Sequence, residues 1–229
     1  MADQVILAII LGILPALVWL LFWLREDRKH PEPKRVISRT FLLGMVAVIV
    51  VLPLQKGVEI LSGSTLTLMV LFSWAALEEM LKFLAGYFGG LHSKEDNEPI
   101  DPMIYMITAA LGFVALENTL FILNPILGGD LSQSIITGNL RFVGASLLHV
   151  IASGMVGACL SFSFYRERLK RFMAGFSGLL LAALFHTGFN FSIIKWGDTG
   201  TTLAFGAVWL GIIVLLLLFE RAKYIARYE

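Results

Sequence analysis

The chain has 229 residues, 57% of them hydrophobic and only 15% charged, with a net charge of +1 and a single cysteine. A soluble domain of this size carries roughly a quarter charged residues, so the composition excludes an ordinary soluble globule and points to an integral membrane protein. The near-neutral balance offers nothing to a nucleic acid, and Cys159 alone can form no internal disulfide.

At about twenty apolar residues per crossing, the sequence predicts an all-α polytopic bundle of about seven transmembrane helices, one integral membrane domain over residues 1–229. The first span, residues 4–24, lies in "MADQVILAIILGILPALVWLLFWLREDRKH". No basic stretch precedes it, it exceeds the apolar core of a cleavable signal, and its charges follow it. It reads as a retained span, bent at Pro15. After "HPEPKR" at 30–35 comes the second span, 39–61, with Pro53 and Lys56 near its end. "SGST" at 62–65 introduces the third, 66–91, whose middle holds "WAALEEMLKF" with Glu78, Glu79 and Lys82. "SKEDNEP" at 93–99 leads into the fourth, 101–123, which carries Glu117 and Asn118. "NPILGGDLSQS" at 124–134 precedes the fifth, 137–163, with Arg141 and His149. "YRERLKR" at 165–171 precedes the sixth, 172–194, with His186 and Asn190. "KWGDTG" at 195–200 separates it from the seventh, 202–220.

The basic residues orient these spans. Arg25, Arg28, Lys29, Lys34, Arg35 and Arg39 flank the first loop, Lys94 the third, Arg166, Arg168, Lys170 and Arg171 the fifth, and Arg221, Lys223 and Arg227 the tail. These are 14 of the 18 basic residues, all on one side. Short loops rich in Lys and Arg stay in the cytoplasm, which puts the N-terminus outside and the C-terminus inside.

A charge at the centre of a membrane helix costs about 2.5–3.5 kcal/mol on insertion scales, and such groups face a bundle interior or a wet cavity. Four consecutive spans carry at least one: Glu78, Glu79 and Lys82; Glu117 with Asn118; His149; His186 with Asn190. At 1.5 Å per residue, Glu117 lies about 10 Å from the outer helix end, His186 about 13 Å, His149 about 18 Å and Glu78 about 20 Å. All could meet in one cavity in the outer half of the membrane. Glu78 and Lys82 are four apart, the spacing of a neutralising ion pair along one face. Glu79 is turned by about 100° from Glu78, so the two cannot do the same job. Taken singly, each has a structural reading: an insertion pair for Glu78–Lys82, helix packing for His149, interhelical hydrogen bonds for Asn118 and Asn190, and snorkelling for Arg141 and Lys195. Three glutamates and two histidines converging make the functional reading the better one.

Such a set suits water activation. Burial raises a carboxyl group's affinity for protons, so it can take one from water and return it to a leaving amine. Histidine and the asparagine amide can stabilise an oxyanion. The alternative is a zinc site drawn from Glu79, Glu117, His149 and His186, assembled across helices because no HExxH is present. Serine chemistry is weak, since no GxSxG occurs.

The residues resemble a known family. Glu-Glu-Met-Leu-Lys at 78–82 matches the EExxK motif of the PrsW intramembrane proteases, distant relatives of the CAAX prenyl endopeptidases. "GFVALEN" at 112–118 resembles the second motif, Arg141 followed by His149 the third, and "FHTGFN" at 185–190 the fourth. "REDRKHPEP" at 25–33 resembles the Asp…Glu-Pro segment after the family's first span, and the likeness runs from about residue 15 to 195. It implies a multi-pass protease of the bacterial cell membrane, cutting a single-span anti-sigma factor on its extracytoplasmic side, the first step of regulated intramembrane proteolysis. It also implies that Glu78 or Glu79 activates water while His186 and Asn190 bind the oxyanion, leaving Lys82 a structural ion-pair partner. The CAAX pattern FxxxH is here Phe113-Val-Ala-Leu-Glu117, and His149 is the residue available to replace the missing histidine.

Two other readings compete. Prenyl-peptide cleavage is disfavoured by the motif variant and by a site on the outer side, away from cytoplasmic prenylated substrates. A proton-coupled transporter would also carry intramembrane Glu and His, but no inverted repeat is evident and the polar residues form one patch.

Overall fold

The computed structural model describes residues 2–28, 30–63 and 66–225, and among these it contains helices and no strand. The helices are α1 Ala2–Trp23, α2 Lys34–Leu61, α3 Leu68–Gly86, α4 Asp101–Leu127, α5 Leu131–Leu140, α6 Ser146–Phe162 and α7 Arg168–Ala222. Two single π-helical turns, Tyr87–Leu91 and Arg141–Ala145, extend α3 and join α5 to α6. Local chemistry fixes several starts. The Thr67 hydroxyl accepts the Val70 N–H at the head of α3, and the Asp130 carboxylate accepts the Gln133 N–H at the head of α5, each satisfying a donor that the first turn leaves free.

The long apolar runs become helices, as expected of a chain that must satisfy its backbone inside lipid. Five are long and apolar enough to cross a membrane: Asp3–Trp23, Lys34–Leu61, Asp101–Leu127, Leu131–Phe162 and Arg168–Ala222. α3 falls outside that set because it carries Glu78, Glu79 and Lys82. α7 counts once, although 55 residues of straight helix would span about 80 Å, far more than a bilayer of about 30 Å. It is not straight. Gly197 sits at φ 53°, ψ −129°, a conformation that only glycine adopts readily. The chain reverses there, so that the Phe189 and Phe205 rings stack at 6.2 Å, where a continuous helix would hold them about 24 Å apart.

The connections are shorter than the sequence suggested. α4 runs through Pro125 to Leu127, so the expected loop at 124–134 shrinks to three residues before α5 begins. The expected loop at 195–200 is the Gly197 reversal alone. Lys29, Ser64, Thr65 and Arg227, which entered the loop assignments, lie outside the described residues.

α4 is the axis of the bundle. Every residue from Asp101 to Ala115 is buried, with α1, α2, α3 and α6 all packed against it. α2 approaches closely because Gly44 and Gly112 face the partner backbone: a Cβ on Gly112 would overlap the Phe41 carbonyl, and one on Gly44 the Ala109 carbonyl. The lipid-facing sides of α1, α2 and α7 are lined by exposed Leu, Ile, Val and Phe, as bilayer-embedded surfaces require.

One end of the bundle gathers the charged segments. Lys223 pairs with Glu26 at 2.7 Å, His30 with Glu98, and Arg171 with Asp96 at 2.7 Å. The ends of α1 and α7, the start of α7 and the link between α3 and α4 therefore share this face. At the opposite end, Gln4 near the start of α1 donates to the Ile126 carbonyl near the end of α4, at 3.2 Å.

Candidate active site

Between the two ends, α3, α4, α6 and α7 point ionisable side chains at one another. Glu79 and Lys82 form the innermost pair, Nζ to Oε1 2.6 Å, with both side chains almost wholly buried. The expected Glu78–Lys82 pair is present at 4.0 Å, the edge of ion-pair range, and Glu79 is the nearer partner. Both three- and four-residue spacings bring helical side chains together, and the partners decide between them: His186 and Ser153 fix Glu79, while Gln55 engages Glu78. His186 Nδ1 lies 2.8 Å from the same Oε1, and the Ser153 hydroxyl donates to Oε2 at 3.3 Å. Glu79 is enclosed.

His149 is held from the other side. Its Nε2 lies 3.2 Å from Glu117 Oε2, and that oxygen also takes the Arg141 guanidinium. Arg141 bonds through Nε to Asn118 Oδ1 and lies over the Phe121 ring, 4.0 Å from its centroid, while Asn118 donates to Ser146 Oγ at 3.1 Å. Arg141 is thus a structural member of the cluster, where the sequence suggested a snorkelling residue. The π turn makes this geometry by adding one residue to the helix just before His149. The Phe113 ring, one turn before Glu117, lies 5.6 Å from the His149 ring and under the Lys82 ammonium at 4.9 Å.

Glu78 is different from its neighbour. Its Oε1 accepts from the Gln55 amide of α2 at 2.8 Å. Its Oε2 is buried and has no hydrogen-bond partner among the described residues. That oxygen faces His186 Nε2 at 3.8 Å and His149 Nδ1 at 4.0 Å. A buried carboxylate oxygen without a partner is costly, so this position is shaped for something that binds there. A cavity of about 540 Å³ opens beside it, lined by Glu78, Glu117, Arg141, His149, His186 and Asn190, with otherwise mainly apolar walls. Glu79 and Lys82 are not among the lining residues.

Ligand atoms of Glu78, His149 and His186 all come within 4.8 Å of one another, and all three residues are buried. Glutamate with two histidines is a donor set that catalytic zinc uses. Each histidine turns its other nitrogen to a carboxylate, Glu117 for His149 and Glu79 for His186, the arrangement that fixes the tautomer of metal-binding imidazoles. The residues therefore fit a metal ion. Lys82 Nζ lies 2.7 Å from His149 Nδ1; a cation on that nitrogen would leave the ammonium to Glu79. Of the expected candidates Glu79, Glu117, His149 and His186, the two histidines fall in this group, with Glu78 beside them in place of Glu79 and Glu117. Those two carboxylates are occupied by the histidines, and Glu78 takes the inner place.

All of Glu78, Glu79, Lys82, Glu117, His149 and His186 come together, and Asn190 lines the same cavity. Gln55, Ser146 and Ser153 were not anticipated. The only sequence signal for Gln55 was a polar residue two positions after Pro53 in an apolar run.

A multi-helix membrane protein with a buried glutamate–histidine cluster beside a cavity belongs to the class of polytopic membrane enzymes. Residues 32–219 match the family described as PrsW family intramembrane metalloprotease, so the chain belongs to that family. It is 27% identical over 191 residues to Protease PrsW of Clostridioides difficile (strain 630), covering 81% of this chain and 78% of that one. With Protease PrsW of Bacillus subtilis (strain 168) the identity is 26% over 181 residues, 79% of each chain. With Protease PrsW of Geobacillus kaustophilus (strain HTA426) it is 30% over 117 residues, which covers 49% of this chain and half the length of that relative. No solved structure matches. The chain is an intramembrane protease of a multi-pass membrane type.

Proposed function

We propose that this protein hydrolyses a peptide bond of a single-span membrane protein, of the anti-sigma-factor class, on the extracytoplasmic side of the membrane. The observation that carries the reading is the unpartnered Oε2 of Glu78, buried at the cavity wall and facing a nitrogen of each histidine. Glu78, His149 and His186 activate the attacking water. Glu79 and Glu117 hold the imidazole protons at His186 Nδ1 and His149 Nε2, which leaves His186 Nε2 as a lone pair toward Glu78 and His149 Nδ1 as the acceptor of the Lys82 ammonium. A zinc ion held by Glu78, His149 and His186 would supply a water of lowered pKa and polarise the scissile carbonyl. The Asn190 amide, on the same cavity wall, donates to the developing oxyanion. The apolar walls exclude bulk water and seat an unwound peptide segment.

The topology in this reading is seven crossings, with the N-terminus outside and the C-terminus in the cytoplasm. Three features support it: the reversal at Gly197, which makes α7 two antiparallel limbs; the length of α3 with its π turn; and the basic character of the end where Glu26 meets Lys223. The cluster lies nearer the other end. Glu117 is about 24 Å along α4 from Asp101 and about 15 Å from Leu127. A helical substrate hides its carbonyls in backbone bonds, and unwinding it near the membrane edge costs less because water meets the freed groups.

The test joins topology to cleavage. With Cys159 replaced by Ala, single cysteines at Gly129 and Asp198 should react with an impermeant reagent added outside intact cells, and one at Ser93 should not. The new termini of a cleaved single-span substrate, read by mass spectrometry, should fall at its outer membrane edge. A scissile bond on the cytoplasmic side overturns the proposed substrate class.

A further inference from the structure

Gln55 belongs to none of the motifs above, and it lies on α2, a helix with no ionisable group at its middle. Its side chain nevertheless reaches the cluster, giving Nε2–H to Glu78 Oε1 at 2.8 Å. Its backbone carbonyl accepts the Trp74 indole N–H at 3.1 Å. Trp74 and Glu78 are four apart on α3, so α2 is tied to one face of α3 through two adjacent bonds. A carboxylate has two oxygens, and this contact engages one of them. The other is the free oxygen facing His149 and His186.

The competing partner is close. Lys82 Nζ stands 4.0 Å from Glu78 Oε2, at the edge of ion-pair range. A buried carboxylate beside a buried ammonium closes that gap unless something holds it, because the attraction is strong in a low-dielectric interior. Glu79 and His149 hold the ammonium at 2.6 and 2.7 Å, and Gln55 holds the carboxylate, through a neutral amide donor that adds no charge to the bilayer.

We propose that Gln55 is a positioning residue for the hydrolytic site, holding Glu78 off Lys82 with one oxygen turned to the two histidines. This rests on the reading that Glu78, His149 and His186 act on the water. With Oε1 engaged, Glu78 offers a single oxygen to whatever lies between the histidines, and a metal ion held by these three residues would supply an activated water.

The test uses the full-length protein in detergent and in liposomes, with Gln55→Met, similar in length but lacking the donor. Zinc affinity is measured by competition with a chromophoric chelator, and kcat and KM on one single-span substrate. Loss of an outer partner of a metal ligand weakens binding or activity about 10–100-fold. Gln55→Met should lose zinc affinity in that range and kcat to a similar degree, with KM within about twofold of the parent. In a Glu78→Gln background, Gln55→Met should cause no further loss of zinc affinity, since a residue acting through Glu78 has nothing left to act on. Losses that multiply in the double variant, or a Gln55→Met protein with zinc affinity and kcat unchanged, overturn the proposal. Where Gln55→Met fails to fold, Trp74→Phe, which frees the Gln55 backbone, is read by the same measurements and should show a smaller loss in the same direction. A parent protein that cleaves without binding zinc refutes the metal reading alone, and the kcat effect then decides the role of Gln55.

Discussion

Two groups of buried and half-buried carboxylates lie at different depths in this bundle, and they are neutralised differently. The inner group, Glu78, Glu79 and Glu117, is matched by Lys82, Arg141, His149 and His186. At the basic end Asp96 and Glu26 keep ion pairs with Arg171 and Lys223, but Asp27, Glu32, Glu98 and Asp101 have mainly neutral donors. Backbone N–H groups of Asn97 and Glu98 bond to Asp101 at 2.8 and 2.6 Å, that of Glu32 to Asp27 at 3.2 Å, and the Tyr105 hydroxyl to Glu32. His30 meets Glu98 there. Burial, reinforced by the nearby Asp101 carboxylate, pushes the Asp27 carboxyl up to about 7. The contrast has a physical cause. Deep in the membrane, bulk water is excluded and charge is met mainly by opposite charge held in place. Near the surface, water is close enough to exchange a proton, so a carboxyl can be buried by keeping it.

The largest effect that would test this contrast is at the inner group. Glu78→Ala, Glu79→Ala and His186→Ala should each reduce cleavage at least about a hundredfold while the protein still folds and inserts. The assay is substrate cleavage by equal amounts of membrane-inserted protein, and near-parental turnover by any of the three would remove that residue from the site. Next in size is Lys82→Met, which leaves Glu79 without its cation in the bilayer and should cost about 3 kcal/mol of stability, read as a fall in the unfolding midpoint in detergent. A Lys82→Met protein as stable as the parent but inactive would mean the ammonium works on substrate instead.

The smallest effect lies at the basic end and has a defined sign. Asp27 holds its proton to about pH 7 in the folded protein and to about 3.8 when unfolded. Its contribution to stability is therefore fully present below about pH 4 and is lost as pH rises through about 7. Asp27→Asn, which cannot ionise, should gain in melting temperature over the parent as pH is raised from 5 to 8. A difference that is the same at both pH values would mean that this end is neutralised by fixed charge after all.

The sequence carried the helices because hydrocarbon leaves the backbone no other choice, and it carried the ionisable members of the cluster because each is expensive in lipid. What it could not carry was set by neighbours. The choice between Glu78 and Glu79 as the nearer partner of Lys82 depends on the side chains that other helices bring to each carboxylate, since both spacings permit a bond. Arg141 looked interfacial because linear counting placed it near a span's end, whereas α5 begins at Leu131 and draws it further in. Gln55 and Ser153 are neutral, cost little to bury and leave no trace in a charge pattern. Gly197 was legible only as one of several small residues in a short polar stretch, yet it alone turns the chain.

The π turn at Arg141–Ala145 makes the site a matter of phase as well as of chemistry. Such a turn is an α-helix carrying one residue too many. Removing one residue from it would restore ordinary helix and swing everything before it by about 100° relative to His149. Every side chain named in the cluster would remain in the protein, and Arg141 would point away from Glu117. A length change of one at this place is thus equivalent to losing a charged residue, while the same deletion in the Gly128–Asp130 link would leave the register of α6 untouched.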